Sequence, residues 1–185
     1  MHLPSPAVLG GIYGTSELLL AVLKRSKSSS KGHDRGSLLV LWSVIGVSVS
    51  AAIVASTIRL GFELPRALYT YGVGVYFLGL AVRWYSILYL GRFFTVDVAI
   101  RGDHHLVDSG PYRFVRHPSY SGALLAFTGL GVCMLNWISV LIVIVPITSA
   151  FLYRIQVEEL ALRVALGDSY RSYSVRTKRI IPFVF

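Results

Sequence analysis

Leu38 to Ile58 is a run of 21 residues without a charge, and it constrains this chain more than any other feature. A bilayer core takes about 20 apolar residues per helix, with a range of roughly 17–25. In lipid, a lone segment satisfies its own backbone only as a helix. Four further runs repeat the pattern. Pro6–Leu23 is apolar except for Thr15, Ser16 and Glu17, and Ala67–Leu90 carries one charge, Arg83. Ser119–Leu135 and Trp137–Tyr153 are 17 residues each and are separated by Asn136 alone, which implies a tight helical hairpin. Composition agrees: 15% of residues are charged and the mean hydropathy is +0.62, whereas a soluble domain carries roughly a quarter charged residues. The expected fold is all-α, a polytopic membrane helical bundle of about five transmembrane helices forming one domain over residues 1–185.

The net charge of +9 does not point to nucleic acid, because the basic residues fall between apolar runs rather than along one stripe. Fifteen of the eighteen lysines and arginines lie in Lys24–Ser37, Gly91–Pro118 and Arg154–Phe185. Arg59 and Arg66 fall on the opposite side, and Arg83 lies within a span. The positive-inside rule then puts the three basic segments in the cytoplasm and the N-terminus outside. No basic n-region precedes the first apolar run, which is expected to be a retained membrane segment. The lone Cys133 excludes a disulfide framework within the chain.

Glu17 near mid-span is expected to hydrogen-bond a neighbouring helix, and Arg83 to snorkel or face the bundle interior. Gly72 and Gly74 suit helix packing. Pro146 predicts a kink, Gly167 predicts a helix C-cap after Leu166, and the basic, aromatic tail suits a membrane interface. The weak alternation of FFTVDVAIRGDHHLV predicts a short extended segment, and Ser109-Gly110-Pro111 predicts a turn.

The densest polar chemistry runs from His104 to Glu159. On the hairpin topology, Arg116–Tyr120 comes close to Arg154–Glu159 at the cytoplasmic face. Arg154 and Glu158 are i and i+4 and share a helix face, where an ordinary ion pair is the plainest reading. Glu158 and Glu159 point about 100 degrees apart, so one faces a pocket while the other faces water or the tail. His104 and His105 point to opposite sides of an extended segment, and without HxxxH or HExxH no metal site is expected. Neither GxSxG nor GxGxxG is present, so neither a serine hydrolase nor a Rossmann-type domain is supported.

The run H-x-LV-x-SG-x-Y-x-x-x-RHPSY-x-G, then R-x-x-x-EE, G-x-x-Y-x-x-Y and a KR-x-IP-F ending, resembles the isoprenylcysteine carboxyl methyltransferase family. LGRFFT at Leu90–Thr95 is similar to it as well. The resemblance covers about Leu90–Phe185 and is that of a short, prokaryotic-style member in a bacterial or archaeal cell membrane. It implies an S-adenosylmethionine-dependent methyltransferase, with residues 1–66 as N-terminal helices and 67–185 as catalytic core. It implies cofactor contacts at His104, His105, Leu106, Val107, Tyr112, His117, Pro118, Ser119, Tyr120 and Glu158. Arg154 matches the family's substrate-side arginine, and Asp97 and Arg101 both remain candidates for an upstream cofactor contact. The implied acceptor is lipophilic, most simply the carboxylate of an isoprenylcysteine-like substrate, met at the lipid bilayer. Three alternatives stay open: methylation of a phospholipid amine or small hydrophobic thiol, an NADPH-dependent membrane reductase, and a non-enzymatic interaction protein.

Overall fold

Long uncharged runs leave the backbone no partner but itself, and the computed structural model is accordingly helical. It describes residues 3–23, 36–57, 62–91, 94 and 106–184. Five helices follow in order: α1 Pro6–Leu23, α2 Ser37–Thr57, α3 Leu68–Leu90, α4 Pro118–Cys133 and α5 Trp137–Arg176. A short 3-10 helix, Gly110–Arg113, precedes α4 at the expected turn. Among the described residues only two isolated bridges stand in for strand structure. Of the expected extended piece, residues 93–107, positions 93 and 95–105 lie outside them, and 94, 106 and 107 are in neither helix nor strand.

α1, α2, α3 and α5 are each long and apolar enough to cross a membrane. α4 is not: its 16 residues, rising about 1.5 Å each, fall short of the roughly 30 Å hydrocarbon core. It starts only at Pro118 and ends in a turn where Leu135 takes a positive φ of 53°. The fourth span of the sequence, Ser119–Leu135, is therefore a short helix sheathed by its neighbours. Asn136 caps α5, its side chain accepting from the Ser139 amide at 3.1 Å. On this side of the bundle the α2–α3 connection pairs with the hairpin turn, Leu64 N–H donating to Leu135 (2.8 Å) and Trp137 N–H to Phe62 (3.0 Å).

α3 packs most extensively on α4, and α2 on α5. Lipid offers no hydrophobic reward for helix association, so close backbone contact must supply it. Gly79 lies against the backbone of Gly122 and Ala126, and Gly129 against Gly72 and Tyr76, where a Cβ would overlap main-chain atoms. Gly72 packs as expected. Gly74 does not: it faces outward with nothing near it, because a helix presents only one of two residues 200 degrees apart to a given neighbour.

α1 is tied on by polar bonds. Glu17 is buried and pairs with Arg83 through both oxygens, at 2.6 and 2.7 Å to Nε and Nη2. Tyr76 Oη donates to the Leu9 carbonyl at 2.6 Å, and Trp84 Nε1 to Ser16 Oγ at 2.7 Å. Arg83 thus faces the interior rather than snorkelling. Outside this core an apolar belt faces outward, Val22 (80% exposed), Leu39 and Val47 among it, as lipid-facing residues do.

Helical dihedrals continue through Pro146 without a break; the departure within α5 is at Gly167, φ 54° and ψ −126°. Gly167 does end the first helical run, but a second begins at once and carries the chain to Arg176. The tail beyond it is not merely laid on an interface. Tyr170, Tyr173, Thr177 and Ile180 are buried against the end of the bundle, leaving Val175, Ile181, Phe183 and Val184 outward.

Candidate functional site at the end of the helical hairpin

The hairpin returns the start of α4 to the far end of α5's apolar part, as its short turn requires. His117 takes the N-cap position with Pro118 at the first helical position, where a missing N–H costs nothing. Tyr120, one turn in, lies between two charged residues of α5. Its hydroxyl donates to Glu158 Oε2 at 2.9 Å and accepts from Arg154 Nε at 3.2 Å. Arg154 Nη1 also donates to Ser37 Oγ, at the first turn of α2, at 2.9 Å. The plain intrahelical reading of the Arg154–Glu158 spacing thus becomes a link through a third side chain.

Glu158 and Glu159 diverge as the helix geometry demands. Glu158, a third exposed, opens onto a cavity; Glu159, 3% exposed, turns to the tail. Arg116 Nε donates to Glu159 Oε1 at 2.8 Å, and Arg179 Nη2 to Oε2 at 3.2 Å. His117 lies between the two carboxylates, Nε2 at 3.4 Å from Glu159 and Nδ1 at 3.8 Å from Glu158. Burial alone would raise the Glu159 carboxyl, yet hydrogen bonds from His117, Arg116 and Arg179 outweigh it and hold the group well below the usual carboxylate range.

The tail closes over this cluster by main-chain bonds. Arg116 N–H donates to Lys178 (2.7 Å), His117 N–H to Arg179 (3.0 Å), and Ser121 Oγ to Ile180 (2.6 Å). Arg116 Nη1 further donates to the Ser174 and Thr177 carbonyls. Tyr173 Oη donates to the Tyr112 carbonyl at 2.6 Å, and Tyr112 Oη to the Ser86 carbonyl at 3.2 Å. Burial pushes the Tyr173 hydroxyl up to about 12, so it remains a neutral donor.

Between tail, α5 and the segment before α4 lies a small, open-mouthed cavity of about 70 Å³. Leu106, Val107, Tyr112, His117 and Glu158 line it, five of the residues singled out in the sequence. Pro118 and Ser119 are buried beside it, the Ser119 carbonyl accepting from Arg83 at 3.3 Å. Tyr120 and Arg154 reach it only through Glu158. His104, His105, Asp97 and Arg101 lie outside the described residues.

The cavity also has walls to which the sequence motifs assign no contact: Leu90, Arg116, Leu162, Leu166, Tyr170 and Tyr173. Glu158, Leu162 and Leu166 are four apart and form one stripe of α5. The sequence signal for the tyrosines is the Gly167-x-x-Tyr-x-x-Tyr spacing, which lies in the tail expected at a membrane interface. Tyr170 is 2% exposed, and its hydroxyl is the one buried side-chain polar atom without a partner among the described residues.

Residues 72–164, half of the chain, match the model of the isoprenylcysteine carboxyl methyltransferase (ICMT) family. Protein-S-isoprenylcysteine O-methyltransferase B of Arabidopsis thaliana is 37% identical over 116 residues, which are 62% of this chain and 59% of the relative. The protein-S-isoprenylcysteine O-methyltransferase of Schizosaccharomyces pombe is 33% identical over 117 residues, 62% of this chain and 50% of the relative. The matched part thus spans between half and three fifths of these relatives' length. Among solved structures, that of the eukaryotic intramembrane Ras methyltransferase ICMT superimposes with a TM-score of 0.71 at 24% identity. It covers 97% of this chain and 65% of that one, a likeness of fold.

Proposed function

The chain belongs to the isoprenylcysteine carboxyl methyltransferase family, and on that premise we propose that it is an integral-membrane methyltransferase. It moves a methyl group from S-adenosylmethionine to the carboxylate of an isoprenylcysteine-like acceptor, the whole chain acting as one membrane-embedded unit. The observation that carries this reading is the cavity at the hairpin end. There a carboxylate, Glu158, opens among aromatic and aliphatic side chains, where a cation with a flat, apolar body fits both surfaces.

S-adenosylmethionine, when bound, supplies an electrophilic methyl group on a sulfonium centre. The residues present fit such a group. Glu158 is a third exposed and accepts from Tyr120, so it keeps acceptor capacity for the ammonium or ribose. Leu106, Val107, Leu162, Leu166 and the ring of Tyr112 offer apolar faces to the base.

An acceptor carboxylate is already ionised near neutral pH, so no general base has to be found. The chain's work is then alignment and exclusion of water. Arg154 orients the acceptor carboxylate with its planar guanidinium, and Tyr120 fixes Arg154 against Glu158 so that acceptor and donor sites keep one spacing. The lipophilic part of the acceptor stays in the bilayer beside the hairpin. The cavity lies on the cytoplasmic side, with the N-terminus outside, as the placement of fifteen of the eighteen lysines and arginines supports.

The test is thermal unfolding of the detergent-purified protein with S-adenosylhomocysteine and, separately, with NADPH. A ligand of the native state raises stability by about 2.7 kcal/mol at a hundredfold excess over Kd. Stabilisation by S-adenosylhomocysteine alone, lost in Glu158→Ala, is the expected result. Stabilisation by NADPH alone would replace methyl transfer with reduction.

A further inference from the structure

We infer that the partner missing from the Tyr170 hydroxyl is the nucleoside half of the bound cofactor, which makes Tyr170 a cofactor-binding residue. The inference rests on the methyltransferase reading above. Its own observation is an orphan. A hydroxyl shut away from water without a hydrogen bond is destabilising, and native structures leave few such groups. Neighbouring hydroxyls show that this end of the chain has partners to give: Tyr173 donates to the Tyr112 carbonyl and Tyr112 to the Ser86 carbonyl. Tyr170 lies 6.1 Å from the Tyr173 ring, 2% exposed, and its hydroxyl alone is left over. The Tyr170 side chain forms part of the cavity wall, so a ligand seated in the cavity packs against it.

The ligand's other half has better partners. A zwitterionic amino-acid end seeks charge, and Glu158, Arg116 and His117 supply it in the same cavity. A neutral nucleoside presents ring nitrogens, an amine and ribose hydroxyls on a flat apolar body. One uncharged hydroxyl among Leu162, Leu166 and Tyr173 matches that chemistry. Gly167 is what delivers it: with φ at 54°, the chain breaks out of the first helical run and a second turn of helix brings Tyr170 back over the stripe begun by Glu158.

The test compares wild type with Tyr170→Phe in the full-length protein, using S-adenosylhomocysteine and 5′-methylthioadenosine, which keeps base, ribose and thioether but lacks the amino-acid end. Both ligands are expected to bind Tyr170→Phe about three- to tenfold more weakly, the loss of one neutral hydrogen bond. The unliganded variant is expected to melt no lower than wild type, since the hydroxyl has no bond to lose there. A hydroxyl with a purely structural role gives the opposite pair: a lower unliganded melting temperature and unchanged ligand affinity. Wild type and variant binding both ligands equally would overturn the inference and leave the methyltransferase reading standing. A loss confined to S-adenosylhomocysteine, or a wild type that takes it but not 5′-methylthioadenosine, would overturn the nucleoside assignment. A wild type that binds neither ligand would remove the reading and the inference together.

Discussion

Arg154 and Glu158 show how a buried site separates two charges that a helix would otherwise pair. Set four apart, they share a face, and on an exposed helix they would gain a few tenths of a kcal/mol as an ion pair. Here Tyr120 comes between them, donating to one and accepting from the other, so each keeps its own geometry. A positioned guanidinium serves a carboxylate by its fork, which lysine cannot copy. In Arg154→Lys, methyl transfer is therefore expected to fall by at least about tenfold, while the Kd of S-adenosylhomocysteine stays within about twofold, since Glu158 still lines the cavity. Turnover and affinity would be measured on the same preparation. Equal losses in both would move Arg154 from the acceptor to the cofactor. The two residues were legible in the sequence because helical spacing is regular. Tyr120 as their link was not, because that contact joins positions 34 and 38 residues apart through the hairpin.

Elements were the most legible level, and their ends mark what sequence can carry. α1 begins and ends where its apolar run does, α2 differs from its run by one residue at each end, and α3 by one residue at its start, because hydrocarbon thickness sets length directly. α5 did not stop at Gly167, since one residue with positive φ can redirect a helix as easily as cap it. Helix phase was the harder matter. Gly72 and Gly74 look alike in sequence, but only Gly72 meets α4. The consequence is testable at Gly79, whose missing Cβ is what lets α3 lie against the backbone of Gly122 and Ala126. Gly79→Ala must push the two helices apart, an overpacking cost of about 1–3 kcal/mol. In a chain of this length each kcal/mol lowers the melting temperature by roughly 2–4 °C. Gly74→Ala, with nothing within 4 Å, is expected to leave it unchanged. Equal melting temperatures for the two variants would show that the α3–α4 contact does not hold the bundle together.

At the scale of the whole molecule, the chain has two unlike ends. One carries the bridge between Glu63 and Asn136 and few basic residues; the other carries the ion cluster around Glu159, the cavity and the folded-back tail. α4 joins them at a length too short for a bilayer, so the polar end of the hairpin is drawn toward the hydrocarbon. Under the proposed function, that arrangement places Arg154 where a lipophilic acceptor need not leave the membrane. It also fixes which ligand pool the cavity meets, for a soluble nucleoside cofactor is reached only from the compartment that makes it. Orientation is thus part of the mechanism. It is read with single cysteines on opposite ends, Ala67→Cys and Val175→Cys, both at exposed positions, in a Cys133→Ala background that removes the buried native thiol. A membrane-impermeant maleimide added to intact cells is expected to label Ala67→Cys, and to label Val175→Cys only after permeabilisation. The reverse pattern would turn the cavity to the outside, away from the cofactor, against the charge distribution of the loops, and would leave methyl transfer without a donor on that side.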